Sequence, residues 1–362
     1  MRIILHAGLH KSGTTSVQAS WRAAYGEHDG VWYPRRDRGG PPGHHDLFRP
    51  LLTAFTERRD PDLISAGLAW SLRPPGGPSL AGVLAEARAR GVATLVLSSE
   101  DLDRVREEDR AGLHEVLGGQ DVTLVVTATR PVHRWCSGWQ TLVKHGLADY
   151  PREAATLLLE FSAVRSGRLR ELIALLPATR RVVRLVRSVP PEPELAADLA
   201  EWLGLPEPER AAGHPVRNPS LSTDTEILLR LNRADLALGT DREGKQRLAE
   251  LRAAGLTYRD DPSLAARYEL PEAFAEGARN EAAWLREGAA LDDVEIVDPC
   301  GALADWLDPT VPDWYAEISR REAVLPDQVN AEPMATQLWR VRQERAAYRR
   351  RLERIEGQRS GK

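Results

Sequence analysis

Lysine is almost missing from this chain. Of 49 basic residues only four are lysines: Lys11, Lys144, Lys245 and Lys362. Cysteine is scarcer, with only Cys136 and Cys300. Two cysteines cannot build a disulfide framework, so a reducing compartment is expected. Neither sign of charge dominates. A net charge of −4 over 362 residues leaves no basic footprint for nucleic acid. Long apolar runs are lacking as well, and the first, Ile3–Leu5, is too short for a signal peptide or a membrane span. A cytoplasmic location with no transmembrane segment is therefore the expectation. The length suffices to bury a sizeable core, as one large domain or two small ones.

What is there begins at the N-terminus. A short apolar strand, Ile3-Ile4-Leu5, runs into His6-Ala7-Gly8-Leu9-His10-Lys11-Ser12-Gly13-Thr14-Thr15-Ser16. A strand, a glycine-bearing turn and a helix start together make an anion cradle, because free N–H groups and the positive helix end converge. The phosphate-loop pattern G-x-x-x-x-G-K-[ST] fits at Gly8, Gly13 and Thr15. It fails where lysine should stand, at Thr14, and the cation sits three residues earlier at Lys11. In an ATPase the lysine after the second glycine reaches the β- and γ-phosphates. Here the cation lies inside the turn, which suits a donor with one short anionic arm. An ordinary strand-turn-helix with a surface lysine is the plainer alternative. The scarcity of lysine weighs against it.

Further along, apolar stretches alternate with helical ones. The pattern predicts a strand over 2–7, a helix over 14–25, an irregular stretch over 26–80 and a helix near 79–90. Strand 93–98, another helix and strand 122–128 follow. A helix starting at Pro131 then leads to a helical stretch over 152–176, strand 181–186 and helix 193–204. This order implies an α/β fold, a three-layer α/β/α sandwich around a central parallel sheet. Ligands of such sheets sit at the carboxyl ends of strands, and the Gly8–Thr15 turn lies at one.

A second strand end carries Thr129-Arg130-Pro131-Val132-His133-Arg134-Trp135-Cys136-Ser137. Proline suits the first helical position. At about 100° per residue, Trp135, Trp139, Leu142 and Val143 share one side, and Arg134, Ser137, Gln140 and Lys144 the other. Packing on the first side would leave the second to an anion. Cys136 reads as a packing residue rather than a nucleophile.

The segment His10-Lys11-Ser12-Gly13-Thr14-Thr15-Ser16-Val17-Gln18 resembles the 5′-phosphosulfate loop of the bacterial-type sulfotransferase superfamily. That family has a phosphate-loop-hydrolase-like fold and uses 3′-phosphoadenosine 5′-phosphosulfate (PAPS) as co-substrate. The arginine bias of the composition fits a GC-rich bacterial source. The resemblance covers roughly residues 1–286. It implies that Lys11, Ser12, Gly13, Thr14 and Thr15 hold the 5′-phosphosulfate, with Lys11 also catalytic, and that Arg130 and Ser137 hold the 3′-phosphate. No metal is required. The Arg217–Ser222 loop and the Phe274–Leu285 stretch also resemble family segments, and Arg217 is a second candidate for the 3′-phosphate.

The acceptor is a hydroxyl or amine on a small molecule, carbohydrate or lipid, and its activation needs a base. Glu100, in Ser98-Ser99-Glu100-Asp101 after the third strand, stands where a base should. Alternatively Ser99 caps the next helix, and Glu100 and Asp101 favour its positive end. His45, beside His44 in a Gly-Pro-rich stretch, is the other candidate base, since histidine titrates near neutrality. A polar loop is its plainer reading, as packing is for Trp32, Tyr33 and Phe48.

Two domains are expected, a sulfotransferase domain over 1–298 and a helical C-terminal extension over 299–362. From Met334 the extension reads as an arginine-rich helix that packs on the body or joins two copies as a homo-oligomer. Two rivals remain open at this point: a nucleotide kinase or ATPase with an altered phosphate loop, and a non-catalytic nucleotide-binding module.

Overall fold

The computed structural model describes residues 1–9, 12–34, 43–53, 79–144, 168–187, 194–208, 253, 255–270, 272–290 and 292–324. Lys11, Arg217 and the stretch from Met334 lie outside them.

In chain order the elements are β1 (Arg2–His6), α1 (Thr14–Tyr25), β2 (Val31–Trp32), α2 (His45–Phe48), α3 (Leu80–Ala89) and β3 (Thr94–Ser98). There follow α4 (Arg110–Leu117), β4 (Asp121–Thr129), α5 (Pro131–Lys144), α6 (Arg168–Leu175), β5 (Arg180–Val186) and α7 (Leu195–Trp202). The last are β6 (Thr257–Asp260), α8 (Glu272–Ala283), β7 (Val294–Val297), α9 (Asp313–Ile318) and β8 (Arg321–Val324).

Six strands form one sheet in the order β2-β3-β1-β4-β5-β7, and every pairing in it is parallel. The α/β expectation therefore holds. Alternate residues of a strand point to opposite faces, and the core divides accordingly. Ile3 and Leu5 join one apolar cluster with α3, α4 and α6. Ile4 joins another with Val17, Trp21 and Tyr25 of α1 and Leu195 and Leu199 of α7. Each such fully buried aliphatic side chain contributes about 1.5–3 kcal/mol. Helices thus cover both faces, as an all-parallel sheet requires.

Local signals explain the elements. Ser79 caps α3 by accepting from the Gly82 amide at 3.1 Å. Polar ties hold α1 against its neighbours: Trp21 Nε1 donates to Ala196 O at 3.0 Å and the Tyr25 hydroxyl to Pro206 O at 2.6 Å. After β3 the chain forms a 3₁₀ turn, Glu100–Arg104, and the expected helix follows as α4. Two strands of the sheet escape the sequence pattern: β2, inside the stretch read as irregular, and β7.

Strand β1 lies between β3 and β4. The chain leaves β1 towards β2 and β3 on one side, and leaves β4 towards β5 and β7 on the other. The crevice between the carboxyl ends of β1 and β4 is therefore the topological switch point, where open α/β sheets place ligands.

Residues 299–324 pack on this body. Trp306 is buried within the sheet's core cluster, and β8 pairs antiparallel with β6. Trp139 of α5 stacks on Trp314 at 6.3 Å and meets the Tyr315 ring edge-on at 5.3 Å. No helix among the described residues is long and apolar enough to cross a membrane.

Candidate active site

The turn after β1 is built tight. Ala7 and Leu9 extend the pairing with β4 beyond the strand end, donating to Val125 O at 2.9 Å and Thr127 O at 3.0 Å. A Cβ on Gly8 would fall on Thr14 Cγ2 and come within 2.6 Å of Thr127 Oγ1, so only glycine fits. Gly13, with φ 81°, is the left-handed residue that turns the chain into α1. Its position receives no side-chain cap. Helical geometry leaves the first N–H groups of α1 without intrahelical acceptors, so those of Thr14 and Thr15 are available to an anion. Ser12 is tied within the turn. Its amide and hydroxyl donate to Leu9 O at 3.1 and 2.6 Å, and its Oγ lies 3.0 Å from Thr127 Oγ1. Ser12 shapes the turn from inside.

Beneath the turn runs a buried polar chain that the sequence reading did not single out. His6 Nδ1 is 2.8 Å from Ser98 Oγ, and its Nε2 is 3.1 Å from Thr127 Oγ1. Burial lowers the His6 pKa to about 4, partly offset by the charge of Glu100. The neutral ring has one donor and one acceptor nitrogen and so bridges two hydroxyls on the strands flanking β1. The available signal was a histidine at the end of an otherwise apolar strand.

Glu100 and the turn meet directly. Thr14 Oγ1 donates to Glu100 Oε2 at 2.8 Å. Ser99 makes no side-chain cap for the following 3₁₀ turn; its Oγ lies 3.2 Å from His45 Nδ1. Capping by Ser99 is thus not what this segment does. His45 is buried, with Nδ1 also 3.4 Å from Asp101 Oδ2. Arg49 Nε donates to the same Asp101 oxygen at 2.6 Å. Burial pushes the Asp101 carboxyl up, but the His45 hydrogen bond and the charges of His45, Arg49 and Arg104 hold it well below the usual carboxylate range. His44 has a scaffolding position: Nδ1 accepts from the Ser98 amide at 2.9 Å, and Nε2 donates to Pro34 O at 2.9 Å.

At the end of β4, Arg130 Nη1 donates to Asp308 Oδ2 at 2.7 Å and Nη2 to Thr310 O at 2.9 Å. Ser137 is half-buried about two turns further on. Two residues of the face expected to meet an anion are turned inward instead. Arg134 is buried and pairs with buried Glu281 of α8, and Gln140 is buried too. The partner of Arg134 belongs to α8, an element the local pattern cannot see. Burial pushes the Cys136 thiol up, in keeping with packing rather than nucleophilic chemistry.

The fold therefore brings Thr14, Glu100 and His45 into one region, linked through Thr14–Glu100 and Ser99–His45 contacts. Arg130 and Ser137 stand at the neighbouring strand end across the switch point. A cavity of about 430 Å³ lined by Asp121, Thr179 and Arg181 opens at the amino ends of β4 and β5, away from all of these groups. No protein-family model, curated protein or solved structure matches the chain.

Proposed function

We propose that this chain is a PAPS-dependent sulfotransferase with a phosphate-loop-like fold. One observation carries the reading. Three adjacent parallel strands, β3, β1 and β4, end in a carboxylate, a left-handed glycine turn opening a helix, and an arginine. Those groups suit an acceptor base, a 5′-phosphosulfate cradle and a 3′-phosphate partner in that spatial order.

The acceptor oxygen (or nitrogen) attacks sulfur in line. Its bond to sulfur forms as the bond from sulfur to the bridging oxygen breaks, and 3′-phosphoadenosine 5′-phosphate (PAP) leaves. Glu100 takes the acceptor's proton, with His45 the other candidate. N–H groups at the start of α1 and the hydroxyls of Thr14 and Thr15 bind the phosphosulfate. Lys11, on the sequence reading, neutralises charge growing on the bridging oxygen, a preorganised electrostatic role. Arg130 and Ser137 bind the 3′-phosphate. Carbohydrate, lipid and small-molecule acceptors all suit a pocket whose loops vary freely on one fold.

Incubation with labelled PAPS and a panel of acceptor classes, read by mass, tests the reading. PAP should also raise the melting temperature, since a ligand selective for the folded state stabilises it by RT ln(1 + [L]/Kd). A larger rise with Mg-ATP, and no label transfer to any acceptor, would replace the proposal with the kinase reading.

A further inference from the structure

Arg130 already holds an anion. Its ion pair with Asp308 measures 2.7 Å, Thr310 O accepts a second hydrogen bond at 2.9 Å, and His133 Nε2 lies 2.9 Å from Nη2. A neighbouring arginine is treated alike: Arg187, just past β5, faces Asp305 at 3.9 Å. Between the two acids, the Trp306 ring sits 6.0 Å from the Arg134 guanidinium carbon. One short segment thus brings two carboxylates and an aromatic face to three arginines at the carboxyl ends of β4 and β5. Chemically, a carboxylate on Arg130 stands where a phosphate would.

Resting on the 3′-phosphate assignment above, we propose that Asp308 is a built-in competitor for that phosphate, holding Arg130 in the free chain and yielding it when a 3′-phosphorylated nucleotide binds. Asp308 is then a specificity-determining residue, since it acts on one class of ligand only. A nucleotide with a plain 3′-hydroxyl gains nothing by displacing it.

The segment is suited to such an exchange. Trp306 is fixed in the core on one side. On the other, the Tyr315 hydroxyl donates to Tyr268 O at 2.9 Å. Between these anchors Leu307 is 41% exposed and the Asp308 side chain 40% exposed. The carboxylate can swing into solvent without unpacking either anchor. The energies favour the ligand: a partly exposed ion pair in reach of water is weakly held. A phosphate monoester carries nearly two charges and binds a guanidinium fork through two oxygens.

Calorimetric titration of PAP and of adenosine 5′-phosphate into wild type and Asp308→Asn tests the proposal. The substitution removes the charge and keeps an acceptor for the Thr310 amide, which donates to Asp308 Oδ1 at 2.9 Å. PAP should bind about three- to tenfold more tightly to the variant, with adenosine 5′-phosphate unchanged. PAP affinity that is unchanged or weaker, while Arg130→Ala still erases the preference for PAP, makes Asp308 a scaffold and overturns the competition alone. If wild type and Asp308→Asn both bind PAP no better than adenosine 5′-phosphate, the 3′-phosphate assignment itself fails. A second measurement needs no variant. Hydrogen exchange at the Thr310 amide of the full chain should speed up when PAP saturates it, because its acceptor leaves. Unchanged or slower exchange there also overturns the proposal.

Discussion

Thr14 Oγ1 donates its only proton to Glu100 Oε2 across 2.8 Å, tying the turn after β1 to the turn after β3. A hydroxyl has a single donor, so Thr14 cannot serve Glu100 and a phosphosulfate oxygen at once. On the proposed reading, donor binding draws the Thr14 proton to the ligand and leaves a Glu100 lone pair open to the acceptor's proton. The same exchange couples the donor cradle to Glu100 through one shared proton.

Glu100→Gln keeps the shape and removes the base. Donor binding should survive while transfer falls about 10²–10⁴-fold. Collapse of folding and donor binding together would make Glu100 a structural residue. If Glu100→Gln is nearly silent and His45→Ala is inactive, the proton goes to His45. Its Nδ1 already faces Asp101 and Ser99, an arrangement that leaves Nε2 to act as the acceptor.

Lys11→Ala addresses the feature that separates this loop from an ATP-binding one. Charge stabilisation that grows in the transition state affects kcat more than donor affinity. Turnover should drop on the order of 10²-fold or more, with PAP affinity much less changed. Near-wild-type turnover would make Lys11 a surface residue and remove the central sequence argument.

Acid should weaken the fold through His6 before most carboxylates matter. Above the ordinary histidine value of 6.5 the ring is neutral folded and unfolded, so its contribution is fully present. Below it the unfolded chain takes a proton that native His6 refuses until about 4. Stability therefore falls as pH drops through that window, by at most about 3.5 kcal/mol at about 1.4 per pH unit. His133, lowered to about 4 by burial and by Arg130, acts in the same direction. Denaturant titrations from about pH 7 to about pH 4.5 should show His6→Gln with roughly half the wild-type slope. An equal slope in the two proteins would mean that native His6 takes up its proton over the same pH range as the unfolded chain.

The parts of the fold legible in the sequence are those set by neighbours in the chain. Val122–Ala128 is apolar and β-branched, and the observed strand covers it; α1 spans Thr14–Tyr25 as its periodicity implied. Strand β2 has two residues, too few for any alternation to register. β7 carries Glu295 among its four residues and is half-exposed, so it lacks the apolar signature of a buried strand. The burial of Arg134 on the polar face of α5 was not foreseen because Glu281 lies 147 residues from it. For the same reason Asp308, 178 residues from Arg130, could not be foreseen as its partner. Local patterns report which residues a helix presents, while the group that receives them is decided by the sheet order.

Arg130 offers the cleanest separation of the two halves of the donor site. The 3′-phosphate takes no part in the bond change, so losing its partner should weaken donor binding and leave the chemical step alone. A charge-assisted hydrogen bond of this kind contributes about 1.5–3 kcal/mol. PAP should therefore bind Arg130→Ala roughly 10- to 100-fold more weakly, less whatever Asp308 had already taken from the wild type. Adenosine 5′-phosphate, which has no 3′-phosphate, should bind wild type and variant alike, so the gap between the two nucleotides narrows. At saturating PAPS, kcat should stay near wild type. A gap that persists in Arg130→Ala would mean another cation holds the 3′-phosphate, with Arg217 the residue to substitute next. A fall in kcat at saturation would instead assign Arg130 to the reacting end of the donor.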